Sequence, residues 1–273
     1  MARPFVVWGA GSVRRMSRAA DSEPDDPGAG FPEGLPPSGR QQIPRPPLAY
    51  AGVAAPWASL VPQLRRGITL SRVRAAVEAH YQGLVAAQRV TFDGFPDPGS
   101  PSAVLVALFE EAGETRVVLT RRAAHLRTHT GEVSFPGGRL DAGETPEAGA
   151  LRESAEEVGL DPAGVEVVGR LTPLVTFSST ASITPVVATL AAVPRLRANP
   201  HEVEHVFDVS LAELAVDGVF REERWIVPGR VMPMADGVED GSFPVWFFEL
   251  PHDTVWGATA RMLVELLRLV LEV

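Results

Sequence analysis

The segment GGRLDAGETPEAGALRESAEEVGL, Gly137 to Leu160, decides how the rest of the chain is read. Thr145 supplies an N-cap hydroxyl, Pro146 suits the first helical position and Gly159 suits a C-cap, so a helix is expected over Pro146 to Val158. On that helix Glu153, Glu156 and Glu157 stand at i, i+3 and i+4 and share a face. Ala148, Leu151, Ala155 and Val158 form the opposite side, which suits packing on a sheet. The ordinary reading of a Glu-rich helix is a solvated acidic face. A structural helix gains nothing from like charges at this spacing, whereas a hard divalent cation turns their repulsion into coordination. Ahead of the helix, Gly137 and Gly138 follow Phe135 and Pro136, where glycine permits a tight turn and the approach of a backbone carbonyl to a metal. Glu144 and Arg152 are expected to pair and lock the connecting loop to the helix, a structural role despite the charge.

Upstream, the turn-rich PDPGSPS at Pro96 to Ser102 marks a boundary. Beyond it, the apolar run Ala103 to Phe109 and the β-branched run Thr115 to Arg121 read as adjacent strands. Downstream strands are expected at Val165 to Leu171, Ile183 to Leu190, Val203 to Val209 and Val245 to Leu250. Amphipathic helices are expected at Ser71 to Gln88 and at Val255 to Val273, the latter burying Leu263, Leu266, Leu267 and Val270. The mixed order of elements implies an α+β fold, a mixed β-sheet sandwich flanked by helices. Residues 1–47, crowded with Pro, Gly and Ser from Asp21 onward, are expected to form a flexible tail, with the residues before Met16 a start-site artefact. Residues 48–100 form a helical lead-in and 101–273 the main domain.

Composition narrows the function. The 273 residues are 45% hydrophobic and 22% charged, as in an ordinary globular chain long enough for a sizeable core. With 34 acidic and 25 basic side chains the net charge is −9, which disfavours nucleic acid as a partner. An anionic ligand then needs a local basic pocket or a metal. There is no cysteine and no lysine, which excludes disulfides, thiolate chemistry and lysine Schiff bases. Neither a membrane span nor a signal-peptide core is evident, so no membrane is expected as a partner and the expected location is cytoplasmic.

Gly138, five residues, Glu144, seven residues, Arg152-Glu153, two residues, Glu156-Glu157, one residue, Gly159 and Leu160 resemble the Nudix box at every fixed position. The departure is Ser154, where the family usually carries an aliphatic residue; slightly looser packing is expected there. The resemblance covers roughly Pro101 to Glu272 and implies a Nudix fold and hydrolysis of a nucleoside diphosphate linked to another moiety. It further implies that Glu153, Glu156 and Glu157, with the Gly138 carbonyl, hold Mg²⁺ or Mn²⁺, and that metal-bound water attacks phosphorus. NPHEVEHVF, Asn199 to Phe207, places Glu202 where the family often has a loop carboxylate acting as general base or extra ligand; Glu153 is the alternative base.

LTRRAAHLRTHTGEVSFPGG, Leu119 to Gly138, resembles the signature of the coenzyme A diphosphatase branch at Leu119, Thr120, Arg122, Ala123, Arg127, Gly131, Phe135, Pro136, Gly137 and Gly138. Arg122, Arg127 and His129 set a basic cluster beside the acidic box, as suits a small-molecule substrate with both a diphosphate and a 3′-phosphate. Trp256 to Ala260, which resembles that branch's C-terminal region, is assigned to core packing. The leading expectation is a coenzyme A diphosphatase, with acyl-coenzyme A as a further substrate. Other readings are hydrolysis of another nucleoside diphosphate derivative such as ADP-ribose, or a silent Nudix-like sensor, which the retained box glutamates disfavour. A homodimer is left open.

Overall fold

A computed structural model gives the structure of the chain and describes residues 13–15, 41, 43–87, 100–126, 131–176, 182–227 and 241–273. The elements begin with β1 (Val13–Arg15), β2 (Leu48–Ala51), α1 (Pro62–Arg66) and α2 (Leu70–Ala86). Next come β3 (Pro101–Glu111), β4 (Glu114–Arg122), β5 (Val133–Ser134), β6 (Gly137–Arg139) and α3 (Pro146–Val158). A 3₁₀ turn at Pro162–Gly164 leads into β7 (Val165–Arg170), β8 (Leu174–Val175), β9 (Ser182–Leu190), β10 (Val203–Ser210) and α4 (Leu211–Leu214). The chain finishes with β11 (Phe220–Ile226), β12 (Phe243–Glu249), β13 (Thr254–Trp256) and α5 (Gly257–Leu271).

Among the described residues the larger sheet runs β1-β10-β4-β3-β9-β7, with β5 on β4, β6 on β3 and β8 on β9. The β3–β9 pair is parallel and makes the sheet mixed. A second, antiparallel sheet runs β13-β12-β11-β2. The alternation of β3 explains the layering: Ala103, Leu105, Ala107 and Phe109 pack with Ala150 and Val158 of α3, while Val104, Val106 and Leu108 join the core shared with α2, α5 and the second sheet. Both faces are covered, which is why this strand reads as an unbroken apolar run. On α5, Leu263, Leu266, Leu267 and Val270 are fully buried, each such side chain contributing about 1.5–3 kcal/mol.

α3 occupies the expected span, with the Thr145 hydroxyl accepting from the Ala148 N–H at 3.3 Å and Gly159 left-handed at φ 66°. Ser154 is buried, and its hydroxyl donates to the Ala150 carbonyl at 2.6 Å, which satisfies it inside the buried side of the helix.

Three expectations need correction. The lead-in is not purely helical, because Leu48–Ala51 pairs with β11 as the edge of the second sheet. The described parts of the tail are not free: Val13–Arg15 pairs with β10, and Ile43 packs on the aromatic cluster of the second sheet. Beside Ile43, the Arg45 guanidinium lies 5.8 Å from the Phe247 ring centroid and 2.8 Å from Glu223. The last helix starts at Gly257, because Thr254–Trp256 is held extended by pairing with β12 and by the Trp256–Phe247 stack, centroids 6.5 Å apart. Among the described residues no helix is long and apolar enough to cross a membrane.

Candidate active site

One end of the larger sheet brings β4, β6, α3 and the turn before β10 together. The Gly137 N–H donates to Glu157 Oε2 at 3.0 Å, tying the glycine strand to the helix. At Gly138, a Cβ would sit 2.5 Å from Glu153 Cδ, so a larger residue would push the carboxylate away. The turn is held from two sides: the Asn199 N–H donates to the Glu157 carbonyl at 2.8 Å, and the Ala123 N–H donates to the Glu202 carbonyl at 2.8 Å. As a result, carboxylate oxygens of Glu153, Glu157 and Glu202 all lie within 4.8 Å of one another.

Arg152 organises the approach to this cluster. Its Nε and Nη2 donate to Glu144 at 3.0 and 2.9 Å, its Nη1 donates to Glu153 Oε1 at 3.0 Å, and Nη2 also reaches the Arg139 carbonyl at 3.1 Å. The planar guanidinium thus spans loop, strand and helix at once. The Arg152 hydrogen bond and the Asp141 N–H hold the Glu144 carboxyl down at about 2.

Electrostatics separates the cluster from an ordinary acidic surface. Glu157 is 4% exposed, and burial pushes its carboxyl up to about 7; the Gly137 N–H and the Arg122 charge work against burial, while Glu202 and Glu153 add to it. Burial also raises Glu153, with Arg152 opposing and Glu156 and Glu202 reinforcing. A bound cation would supply the missing positive charge. The donor set is oxygen throughout, as a hard divalent ion such as Mg²⁺ or Mn²⁺ requires, so the residues fit the metal that the carboxylate spacing implies.

Not every expected site residue joins the cluster. Glu156 lies outside it, on the exposed side of α3, with Arg152 Nη1 3.5 Å away. Arg122 ends β4, its N–H donating to the Glu132 carbonyl at 3.0 Å, one residue before the Ala123 N–H that holds the Glu202 carbonyl. Arg127 and His129 lie outside the described residues. Sequence reasoning missed the Gly137 amide, the Asn199 backbone link and the bidentate pair between Arg170 and Glu147, at 2.6 and 2.8 Å, which fixes the start of α3 against β7. Only the Asn-Pro turn before Glu202 carried a local signal for any of these.

The sequence model of the NUDIX domain matches residues 99–234. Nudix hydrolase 3 of Caenorhabditis elegans is 34% identical over 178 residues, 63% of this chain and 74% of that protein. An uncharacterized Nudix hydrolase, NudL, of Salmonella paratyphi B is 36% identical over 166 residues, 60% of this chain and 80% of that protein. Among solved structures, a C. elegans Ap4A hydrolase binary complex is 20% identical, covers 41% of this chain and 80% of its own, and gives a TM-score of 0.35. Fold, carboxylate helix and relatives together define a pyrophosphohydrolase on an α+β scaffold. The chain belongs to the Nudix hydrolase family, whose activity is directed at nucleoside diphosphate derivatives.

Proposed function

We propose that this enzyme hydrolyses the diphosphate of coenzyme A, giving 4′-phosphopantetheine and adenosine 3′,5′-bisphosphate. The observation that supports the reading is the position of Arg122, from the basic cluster of the Leu119–Gly138 signature: it ends β4, and the N–H of the next residue, Ala123, donates to the carbonyl of Glu202, one of the three clustered glutamates, at 2.8 Å. Water adds to one phosphorus, the bridging P–O bond breaks, and each product leaves with its own phosphate. Glu153 and Glu157, with the Gly138 carbonyl and the more exposed Glu156, would hold Mg²⁺ or Mn²⁺, and Glu202 beside them would serve as an extra ligand or as the general base. When bound, such an ion neutralises diphosphate charge and makes water a stronger nucleophile near neutral pH.

The chain's own residues do the rest. Glu202 takes the proton of the attacking water, with Glu153 the alternative base. Arg152, fixed by Glu144, holds Glu153 in place. Arg122 binds phosphate oxygens, and Arg127 and His129 complete the basic cluster that receives the 3′-phosphate. The protein operates as a cytoplasmic enzyme, with residues 101–273 as its catalytic domain.

The test compares kcat/KM for coenzyme A, dephospho-coenzyme A and ADP-ribose in wild type and in Arg122→Ala, with products identified. Coenzyme A should be the best substrate. The mutant should lose preference for it over dephospho-coenzyme A by about 1.5–3 kcal/mol, the worth of one charge-assisted contact. The ratio cancels general damage. Faster turnover of ADP-ribose than of coenzyme A in wild type would overturn the assignment.

A further inference from the structure

On β4 and β10, next in sequence to Arg122 and to the turn that carries Glu202, lies a second group of ionisable side chains. Arg121, His205 and Asp253 are 4%, 8% and 4% exposed, in the layer between the two sheets. Arg121 Nη1 lies 3.1 Å from Asp253 Oδ1, His205 Nε2 lies 3.5 Å from Asp253 Oδ2, and Glu204 Oε2 lies 3.7 Å from Arg121 Nε. The His205 ring rests against Phe207, centroids 5.4 Å apart. Buried charge of this kind is expensive, and apolar residues of the same volume often serve stability as well. Its place in the fold suggests what it does.

Arg121 and His205 are cross-strand partners on β4 and β10, and the register shifts between Val203 and His205, one residue beyond Glu202. Bulges of this kind re-aim side chains next to active sites, but the irregular ladder leaves the strand end free to slip unless something fixes it. The neighbours of the two partners in sequence belong to the site: Arg122 follows Arg121, and the Ala123 N–H holds the Glu202 carbonyl at 2.8 Å. Asp253 enters from the turn between β12 and β13, whose closure is set by the Leu250 N–H donating to the Asp253 carbonyl at 2.9 Å. One carboxylate from the second sheet's turn therefore lies within ion-pair distance of a residue on each strand of the larger sheet at the bulge.

We infer that Asp253 is a positioning residue for the site: by binding Arg121 and His205 together it pins the bulged end of β10 and holds Glu202 within reach of Glu153 and Glu157. This rests on the reading of those three glutamates as a cation site. Its consequence is an energetic coupling between Asp253 and Glu202.

The experiment is a double-mutant cycle on the full chain, read as the dissociation constant for Mn²⁺ alone, from the electron paramagnetic resonance of the free ion, with folding checked by thermal melting. Asp253→Ala and Glu202→Gln should each weaken Mn²⁺ binding roughly tenfold, as losses of supporting contacts at metal sites do, and the double variant should be no weaker than Glu202→Gln alone. Should Asp253→Ala not fold, Asp253→Asn, which keeps the shape and loses the charge, enters the same cycle. If Glu202→Gln weakens binding while the Asp253 substitution leaves it unchanged or adds its effect in full, the positioning role is overturned and the cation site stands. If Glu202→Gln binds Mn²⁺ like wild type, the cation-site reading fails and the inference falls with it.

Discussion

Arg152 shows how much one side chain does at this site. It is part-exposed, so its separate ion pairs are individually weak, yet the fork holds Glu144, Glu153 and the Arg139 carbonyl in one plane. Arg152→Ala should lower both the melting temperature and kcat. Arg152→Lys should recover little of either, because a point charge cannot bridge two carboxylates and a carbonyl. Full activity in the lysine variant would show that charge alone suffices. Residue spacing made this pair legible, since Glu144 and Arg152 stand at fixed offsets in one short segment. It left Glu157's burial and its Gly137 partner illegible, because both depend on a strand being laid against the helix. Glu156 carries the opposite lesson: helical spacing groups it with Glu153 and Glu157, yet it is exposed while Glu157 is buried.

At the scale of elements, the span of α3 and the strands of the larger sheet are legible because caps and apolar runs are local, but the buried side of α3 is not the expected one: Ala148 is exposed, and Gly149, Ala150 and Ser154 are buried with Val158. In the second sheet β12 is legible, as the expected strand Val245 to Leu250, but β2, β11 and β13 are not. FREERWI, Phe220–Ile226, places charge at inward positions: Glu222 is buried and accepts from the Trp246 indole N–H at 3.0 Å, and Arg221 bonds Glu249 on β12 at 2.7 Å. Polar pairs that form only after strands assemble erase the alternation a single strand would show. The short helix α4 offers a test by pH. Its N3 residue Glu213 completes a capping box with Ser210, and burial raises its carboxyl from 4.5 to about 7, the Ser210 N–H opposing. In the window between these values the folded chain holds a proton that the unfolded chain has released. The stabilisation is therefore complete below 4.5 and is lost as pH rises through about 7. Glu213→Gln keeps the cap and removes the titration. Its melting temperature should match wild type near about pH 4 and exceed it near about pH 8. A constant difference across that range would remove Glu213 from the pH dependence.

For the whole molecule, residues 1–47 lack apolar periodicity, yet their described parts, Val13–Arg15 and the stretch around Ile43 and Arg45, meet both sheets. Gln41 adds a bond from its Nε2 to the Thr254 carbonyl at 2.9 Å, close to the Asp253 turn. Long-range anchors of this kind leave no local pattern, so the tail reads as free. Deleting residues 1–47 should lower the melting temperature by uncovering Phe247 and its neighbours, while kcat of the folded fraction stays near wild type, since none of the site residues lies there. Unchanged melting would mean that the anchors contribute nothing, and a large loss of kcat in folded protein would place the tail at the site. Glu157 and its partners are proposed to break a diphosphate with a divalent cation. The most direct measurement is ³¹P NMR of coenzyme A incubated with Mg²⁺ and either wild type or Glu157→Gln, whose fold is checked by circular dichroism. With wild type the diphosphate resonances should give way to two new phosphomonoester signals beside the retained 3′-phosphate, and with the variant they should persist. Intact diphosphate with wild type, or equal conversion by Glu157→Gln, would contradict the account.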